Sequence, residues 1–244
     1  MNYKLTVQYY GSRYDGWQKQ GNTDNTLQGK LESVLSRLAG QPVEVHGAGR
    51  TDAGVHAEGQ VVSVRLPGER AAGEIMSYVN RYLPEDVAVI AAEEAEERFH
   101  ARLSAVGKVY RYSLRVGDTP NVFRRKYQYR VEGPLDVEAM RRAAALLCGT
   151  HDFRSFCANR RYKKSTVRTV TSIVLEERGA ELDITFRGDG FLYNMVRILT
   201  GTLLEVGLGE RHAEDMTAVL AALDRTAAGK TAPAQGLCLV EVEY

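Results

Sequence analysis

Cysteine is scarce in this chain, and the three present, Cys148, Cys157 and Cys238, are odd in number and far apart, with no Cys-x-x-Cys or paired His/Cys motif beside them. Such spacing argues against both a disulfide framework and a structural zinc site. Long apolar runs are also missing. No stretch of about 18 apolar residues is available to cross a bilayer, and Met1 to Tyr10 alternates as a strand does instead of reading as a signal peptide. The expected location is the cytoplasm, with no membrane partner. The five histidines, His46, His56, His100, His151 and His212, place no two on one helical face, and no acid-rich loop accompanies them, so no metal is expected. The Gly-x-Ser-x-Gly elbow of serine hydrolases is absent too.

The chain has almost no net charge. Its 32 Lys and Arg against 31 Asp and Glu leave +1, which provides no global attraction to a polyanion. The distribution is uneven, however. Lys108, Arg111, Arg115, Arg124, Arg125, Lys126 and Arg130 face a single acid, Asp118, and Arg154, Arg160, Arg161, Lys163, Lys164 and Arg168 face none. Acids gather instead at residues 91–98 and near the carboxyl terminus. The middle of the chain is therefore either a surface for a polyanion or a set of solvated strand edges decorated with Lys and Arg.

What the sequence does contain is a folded protein's pattern: 44% hydrophobic residues over 244 positions, enough to fill one large core or two of roughly 120 residues each. Tyr3, Leu5, Val7 and Tyr9 alternate with polar neighbours and predict a strand. Leu27, Leu31, Val34, Leu35 and Leu38 repeat at helical spacing. Strands near 43–46 and 61–66 follow, then a helix around 75–83 that Pro84 ends, and a strand over 86–92. The second half repeats the scheme: strands at 106–116 and 127–131, a helix capped by Asp136 and running to Cys148, strands at 167–177 and 181–187, helices at 192–206 and around Met216 to Leu223, and a last strand at 237–242. The fold class expected is α+β, with two ferredoxin-like βαββαβ-type halves joined side by side into one extended, mostly antiparallel sheet. Helices would cover one face and an active-site cleft would open on the other. The domains expected are 1–103 and 104–244.

One short stretch carries unusual chemistry, His46-Gly-Ala-Gly-Arg-Thr-Asp-Ala-Gly-Val-His56. It is not a dinucleotide loop, because Asp52 stands where the third glycine belongs and a carboxylate there repels a pyrophosphate. Residues 227–231 likewise end as a phosphate loop does, but Asp224 replaces the glycine that must precede them. Glycines at 47, 49 and 54 permit positive φ and close approach of other groups, while Arg50 and Asp52 are the only Arg or Asp within the stretch. Asp52 is either the Asx residue of a plain turn beside an exposed Arg50 or the reactive group of a site.

Two further residues bear on that choice. On the 108–116 strand, Tyr110 shares a face with Tyr112, Leu114 and Val116, either as a core tyrosine or as an aromatic platform at a rim. In the 192–206 helix, Leu192, Met195, Val196, Leu199 and Leu203 form the buried stripe, and Arg197 falls beside Tyr193, Asn194 and Gly201. It is either a surface arginine or a partly buried one requiring a carboxylate partner.

The segments GAGRTDAGVHAEGQVV, KVYRYSL, GTHDFRSF, FLYNMVRILTGTLLEVG and TAPAQGLCLVEVEY, taken in order from Tyr3 to Tyr244, resemble the tRNA pseudouridine synthase A family. The resemblance implies an isomerase that converts uridine to pseudouridine at positions 38, 39 and 40 of the anticodon stem-loop without a cofactor, acting as a homodimer on tRNA and not on DNA. By the motif match, Asp52 is the catalytic aspartate, Tyr110 stacks on the target base, Arg197 is the basic partner of Asp52, and Arg50 helps displace the target nucleotide. The first domain then carries the aspartate loop and the second the tyrosine and the arginine. Without the resemblance, a noncatalytic RNA-binding protein using Tyr110, Tyr112, Tyr127 and Tyr129 as stacking platforms stays open. A glycoside hydrolase would require a second prominent carboxylate beside Asp52.

Overall fold

The structure, a computed structural model, describes residues 1–159 and 161–244; Arg160, counted above among the basic residues, lies outside the described residues. The fold is α+β, with five α-helices and ten strands, mostly antiparallel, among the described residues. The chain divides into two compact units, Met1–Val106 together with Cys238–Tyr244, and Gly107–Leu237.

The first unit runs β1 (Asn2–Tyr9), α1 (Leu27–Ala39), β2 (Val45–Gly47), β3 (His56–Arg65), α2 (Ala72–Tyr82) and β4 (Val87–Ala95), which is the βαββαβ order expected from the periodicity. α1 starts where Thr26 accepts a hydrogen bond from the Gly29 N–H, and it ends at Gly40 in the left-handed region at φ 69°. Its apolar stripe, Leu27, Leu31, Val34 and Leu35, is buried, each side chain contributing about 1.5–3 kcal/mol by leaving water. β1 lies between β4 and β3, antiparallel to both. β3 starts at His56, five residues before the run of valines suggests, and it is buried nearly end to end. Its far edge is shared: Val62 to Val64 pair with β2, while His56 and Ala57 pair in parallel with Cys238 and Leu239.

That last pairing corrects the expected domain limits. The closing strand, β10 (Leu237–Glu243), was expected with 104–244, yet residues 238–244 belong to the first unit. The physical reason lies in β3. Its residues 56–57 extend past β2, leaving backbone groups that Cys238 and Leu239 satisfy. The Val106 N–H donates to the Glu243 carbonyl at 2.8 Å, which ties down the chain just before it leaves the unit.

The second unit contains β5 (Gly107–Val116), β6 (Tyr129–Val131), α3 (Val137–Leu147), β7 (Gly149–Asp152), β8 (Val167–Arg178), β9 (Glu181–Gly188), α4 (Met195–Gly207) and α5 (Asp215–Ala222). Its strands stand in the order β5-β9-β8-β7, all antiparallel, with the short β6 parallel to β5. Asp136 caps α3 as expected, accepting from the Ala139 N–H at 2.8 Å. α4 is buried along almost all of its length. The expected basic region is exposed at Arg124, Arg125, Lys126, Arg130, Arg161, Lys163 and Lys164, although Arg124 pairs with Glu181 and Arg130 with Glu132.

Candidate active site

The aspartate loop is a tight turn delivered by β2 and received by β3. The Val55 N–H donates to the Asp52 carbonyl at 3.1 Å, and Gly54 closes the turn at φ +84°, a conformation that side chains with a Cβ rarely adopt. Asp52 is half-buried at the first position of this turn, and Arg50, two residues earlier, is exposed.

What fixes the loop lies beneath it. Thr51 is buried, and its Oγ1 shares a 2.7 Å hydrogen bond with the hydroxyl of Tyr9 on β1. Gln60 of β3, fully buried, donates from Nε2 to the Gly49 carbonyl at 2.9 Å and to the Tyr9 hydroxyl at 3.4 Å. The Thr51 carbonyl accepts from the Trp17 N–H at 3.0 Å. Trp17 itself fills the space at Gly47, where a Cβ would lie 2.6 Å from the indole. The close approach expected at the loop's glycines is thus made at Gly47 by the protein's own tryptophan. His56 is structural as well: it is buried, its Nδ1 accepts from the Gly11 N–H at 3.0 Å, and its ring stacks on Tyr10. An accepting Nδ1 leaves the ring proton on Nε2 in the neutral form.

Tyr110 and Arg197 belong to the second unit, whereas Asp52 and Arg50 belong to the first. Tyr110 sits on β5 opposite Phe186 of β9, and Phe191 meets its ring edge-on at 5.3 Å. The ring is 8% exposed, so stacking on a base requires that entry of a nucleotide uncover it. Arg197 lies in the first turn of α4 and is half-buried. Its Nε donates to the Ala232 carbonyl at 2.7 Å, and its NH1 donates to Asn194 Oδ1 at 2.9 Å. The Ala232 N–H in turn donates to the Arg197 carbonyl at 3.0 Å.

Residues 230–236 therefore form a strap along α4 and β5. The Tyr112 hydroxyl donates to the Pro233 carbonyl at 2.7 Å, and burial pushes the Tyr112 pKa above its ordinary value, keeping the phenol a neutral donor. The nearby Arg197 guanidinium opposes that shift more weakly. At Gly201 of α4 a Cβ would lie 1.7 Å from the Lys230 carbonyl oxygen, so only glycine admits the strap.

Sequence reasoning singled out Asp52, Arg50, Tyr110 and Arg197, and placed Asn194 beside Arg197. It missed Tyr9, Thr51 and Gln60 as supports of the loop, and Ala232 as an anchor of the arginine. Alternation on β1 marks Tyr9 as a core residue, but nothing local announces its partner. Among the described residues no group of three or more His, Cys, Asp and Glu is arranged to hold a metal ion, and no helix is long and apolar enough to cross a membrane.

The family described as tRNA pseudouridine synthase matches residues 5–103 and 143–244. A relative from Bacillus sp. (strain KSM-64) described as tRNA pseudouridine synthase A is 45% identical over 243 residues, covering 100% of this chain and 99% of that protein. Another of the same description, from Halalkalibacterium halodurans, is 49% identical over 238 residues, covering 96% and 89%. A third, from Brevibacillus brevis, is 44% identical over 241 residues, covering 99% and 98%. Among solved structures, one described as a Cbf5-Nop10-Gar1 complex aligns at a TM-score of 0.37 and 16% identity over 83% of this chain and 45% of that one, too loose a likeness to inform the site.

The protein is thus an isomerase of the class that makes pseudouridine in tRNA. Within that class the chain belongs to the tRNA pseudouridine synthase A family. Membership in an enzyme family sets aside the noncatalytic RNA-binding reading.

Proposed function

We propose that the protein isomerises uridine to pseudouridine at positions 38, 39 and 40 in the anticodon stem-loop of tRNAs, with Asp52 as its catalytic carboxylate and without a cofactor. The observation that carries the reading is the Asp52 turn. A half-buried carboxylate is mounted on a backbone that buried hydrogen bonds from Tyr9, Gln60 and Trp17 hold in one conformation. A plain surface turn has no need of such support.

The reaction breaks the bond from uracil N1 to the ribose carbon, turns the base, and joins C5 to the same carbon. The C5 proton departs and N1 ends protonated, so composition is unchanged and no oxidant or nucleotide is consumed. Asp52 acts in its ionised form, either on the sugar carbon or on a ribose proton. Exclusion of water on substrate binding disfavours that charge, and a guanidinium within about 4–6 Å counters the effect; Arg197 is the proposed partner. Extruding the target nucleotide costs a few kcal/mol. Stacking on Tyr110 returns about 1–3 kcal/mol, and the exposed Arg50 occupies the space the base leaves. Arg125, Lys126, Arg161, Lys163 and Lys164 contact phosphates and set register without reading sequence. In this reading the first unit supplies the carboxylate, the second supplies the tyrosine and the arginine, and the enzyme works in the cytoplasm as a homodimer.

The test compares wild type with Asp52→Ala and Asp52→Asn on an anticodon-arm transcript, measuring pseudouridine by chemical labelling and RNA affinity side by side. Both variants are expected to bind and to make no product. Turnover by Asp52→Ala at the wild-type rate overturns the assignment.

A further inference from the structure

We infer that Asn194 is a positioning residue for the reaction, one that holds the Arg197 guanidinium in its working plane; this rests on the reading of Arg197 as the partner of Asp52. The start of α4 departs from the usual pattern. Asn194 opens α4, and its carbonyl accepts from the Ile198 N–H at 2.9 Å. A residue in that place ordinarily takes an extended backbone and turns its side-chain oxygen onto the first N–H groups of the helix. Asn194 does neither: its backbone is left-handed, at φ 60° and ψ 9°, and its side chain makes no capping bond. The carboxamide oxygen instead accepts from Arg197 NH1 at 2.9 Å.

Among the described residues, the only other non-glycine residue with positive φ is Leu223. Leu223 closes α5 at its carboxyl end, where a left-handed residue is an ordinary way for a helix to stop. Asn194 stands at the opposite end of its helix, as the third residue of a turn that the Met195 N–H closes on the Leu192 carbonyl at 3.0 Å, a place where a left-handed residue is usual. Asparagine is one of the few residues that tolerate this conformation. The turn accounts for the backbone but not for the side chain, which makes no cap to the helix and bonds an arginine instead.

The return is orientation. A guanidinium is a planar fork with donors in fixed directions. One bond, from Nε to the Ala232 carbonyl, anchors a single edge of the fork. A second, from NH1 to Asn194, anchors the adjoining edge, and together the two set the plane and hence the direction of every remaining N–H. An ion partner held in this way needs little reorganisation as charge shifts during the reaction.

The experiment measures kcat, KM and melting temperature on an anticodon-arm transcript for Asn194→Gly, Asn194→Asp, Arg197→Gln and the pair Asn194→Gly with Arg197→Gln. Glycine keeps the left-handed backbone and removes the acceptor, so folding is retained. The expected result for Asn194→Gly is a loss of about tenfold to a hundredfold in kcat, the scale of a small misplacement of a catalytic group, with KM and melting temperature near wild type. Asn194→Asp, which keeps an acceptor oxygen at the same reach, regains most of that loss. The double variant is no slower than Arg197→Gln alone, because two groups acting as one unit are not additive. The inference is overturned if Asn194→Gly keeps wild-type kcat, if its loss falls in KM or melting temperature alone, if Asn194→Asp is as slow as Asn194→Gly, or if the double variant multiplies the two single losses. Should Arg197→Gln itself turn over at the wild-type rate, the reading of Arg197 fails first, and the two failures are told apart by that one variant.

Discussion

The two units hold their candidate site residues by opposite means. In the first, Asp52 rides on a turn with no regular structure of its own, and rigidity comes from side chains beneath it: Tyr9 on Thr51, Gln60 on Gly49, and Trp17 in the space at Gly47. In the second, Arg197 and Tyr110 stand on a helix and a strand that are already rigid, and the irregular piece, the 230–236 strap, is pinned to them at Ala232 and Pro233. Each unit is therefore vulnerable at a different place. A turn fixed from below fails when a supporting side chain is changed. A helix fixed from within fails when its backbone contact with the strap is blocked.

The largest effects are expected from one added methyl group in each unit. Gly201→Ala drives a Cβ into the Lys230 carbonyl, a backbone atom that moves only if the strap moves. Its expected cost is about 3 kcal/mol, the upper part of the range for overpacking, and thermal unfolding is the measurement. Gly47→Ala meets the Trp17 ring instead; a side chain yields more readily than backbone, so about 1–2 kcal/mol is expected. A reversed order would mean that the strap is the softer of the two clamps. Thr51→Val, next in size, removes the Tyr9 bond under the aspartate, costing about 1–2 kcal/mol for a buried polar group left short of a partner. Its effect on kcat should exceed its effect on KM, because the loop that moves bears Asp52. Tyr112→Phe removes one anchor of the strap and costs about 1 kcal/mol by chemical denaturation, with kcat little changed while Arg197 still holds Ala232.

The smallest effect expected is one of pH. Burial, with a lesser contribution from the neighbouring His46, holds the His100 pKa below its ordinary value. The His100 Nδ1 accepts from the Arg102 and Leu103 N–H groups, and protonation there removes both bonds. The folded state thus takes up this proton less readily than the unfolded chain. Stability is unaffected above about pH 6.5, the ordinary histidine value, and declines gently as pH falls below it. His100→Asn should flatten that slope in denaturant titrations; an unchanged slope would assign it to other groups.

Much of this architecture was legible in the sequence because its elements are periodic. β1, α1, α2, β5 and α4 show their buried faces as repeats of two or of 3.6, and the structure alters their limits by only a few residues. β7 was not legible, since Gly149 to Asp152 is four exposed or half-exposed residues with no alternation to read. The partner of β10 was not legible either: an apolar strand can complete any sheet that lacks an edge, and the choice of His56 and Ala57 is made by geometry far away in the chain. At the site, Asp52 stood out through its company of glycines. Its supports did not, because Tyr9 and Thr51 are 42 positions apart and the tyrosine's pattern is that of any core strand. The left-handed backbone of Asn194 was hidden too, since an asparagine before a helix reads as an ordinary cap.

The return of residues 238–244 to the first unit has a consequence for how the protein is made. A ribosome delivers β3 long before it delivers Cys238 and Leu239, and the whole second unit is synthesised in between. Throughout that interval the backbone of His56 and Ala57, only a few residues from Asp52, is an open strand edge that invites pairing with other chains. The second unit is one continuous stretch, Gly107 to Leu237, so the part of the protein that begins first is the part that finishes last.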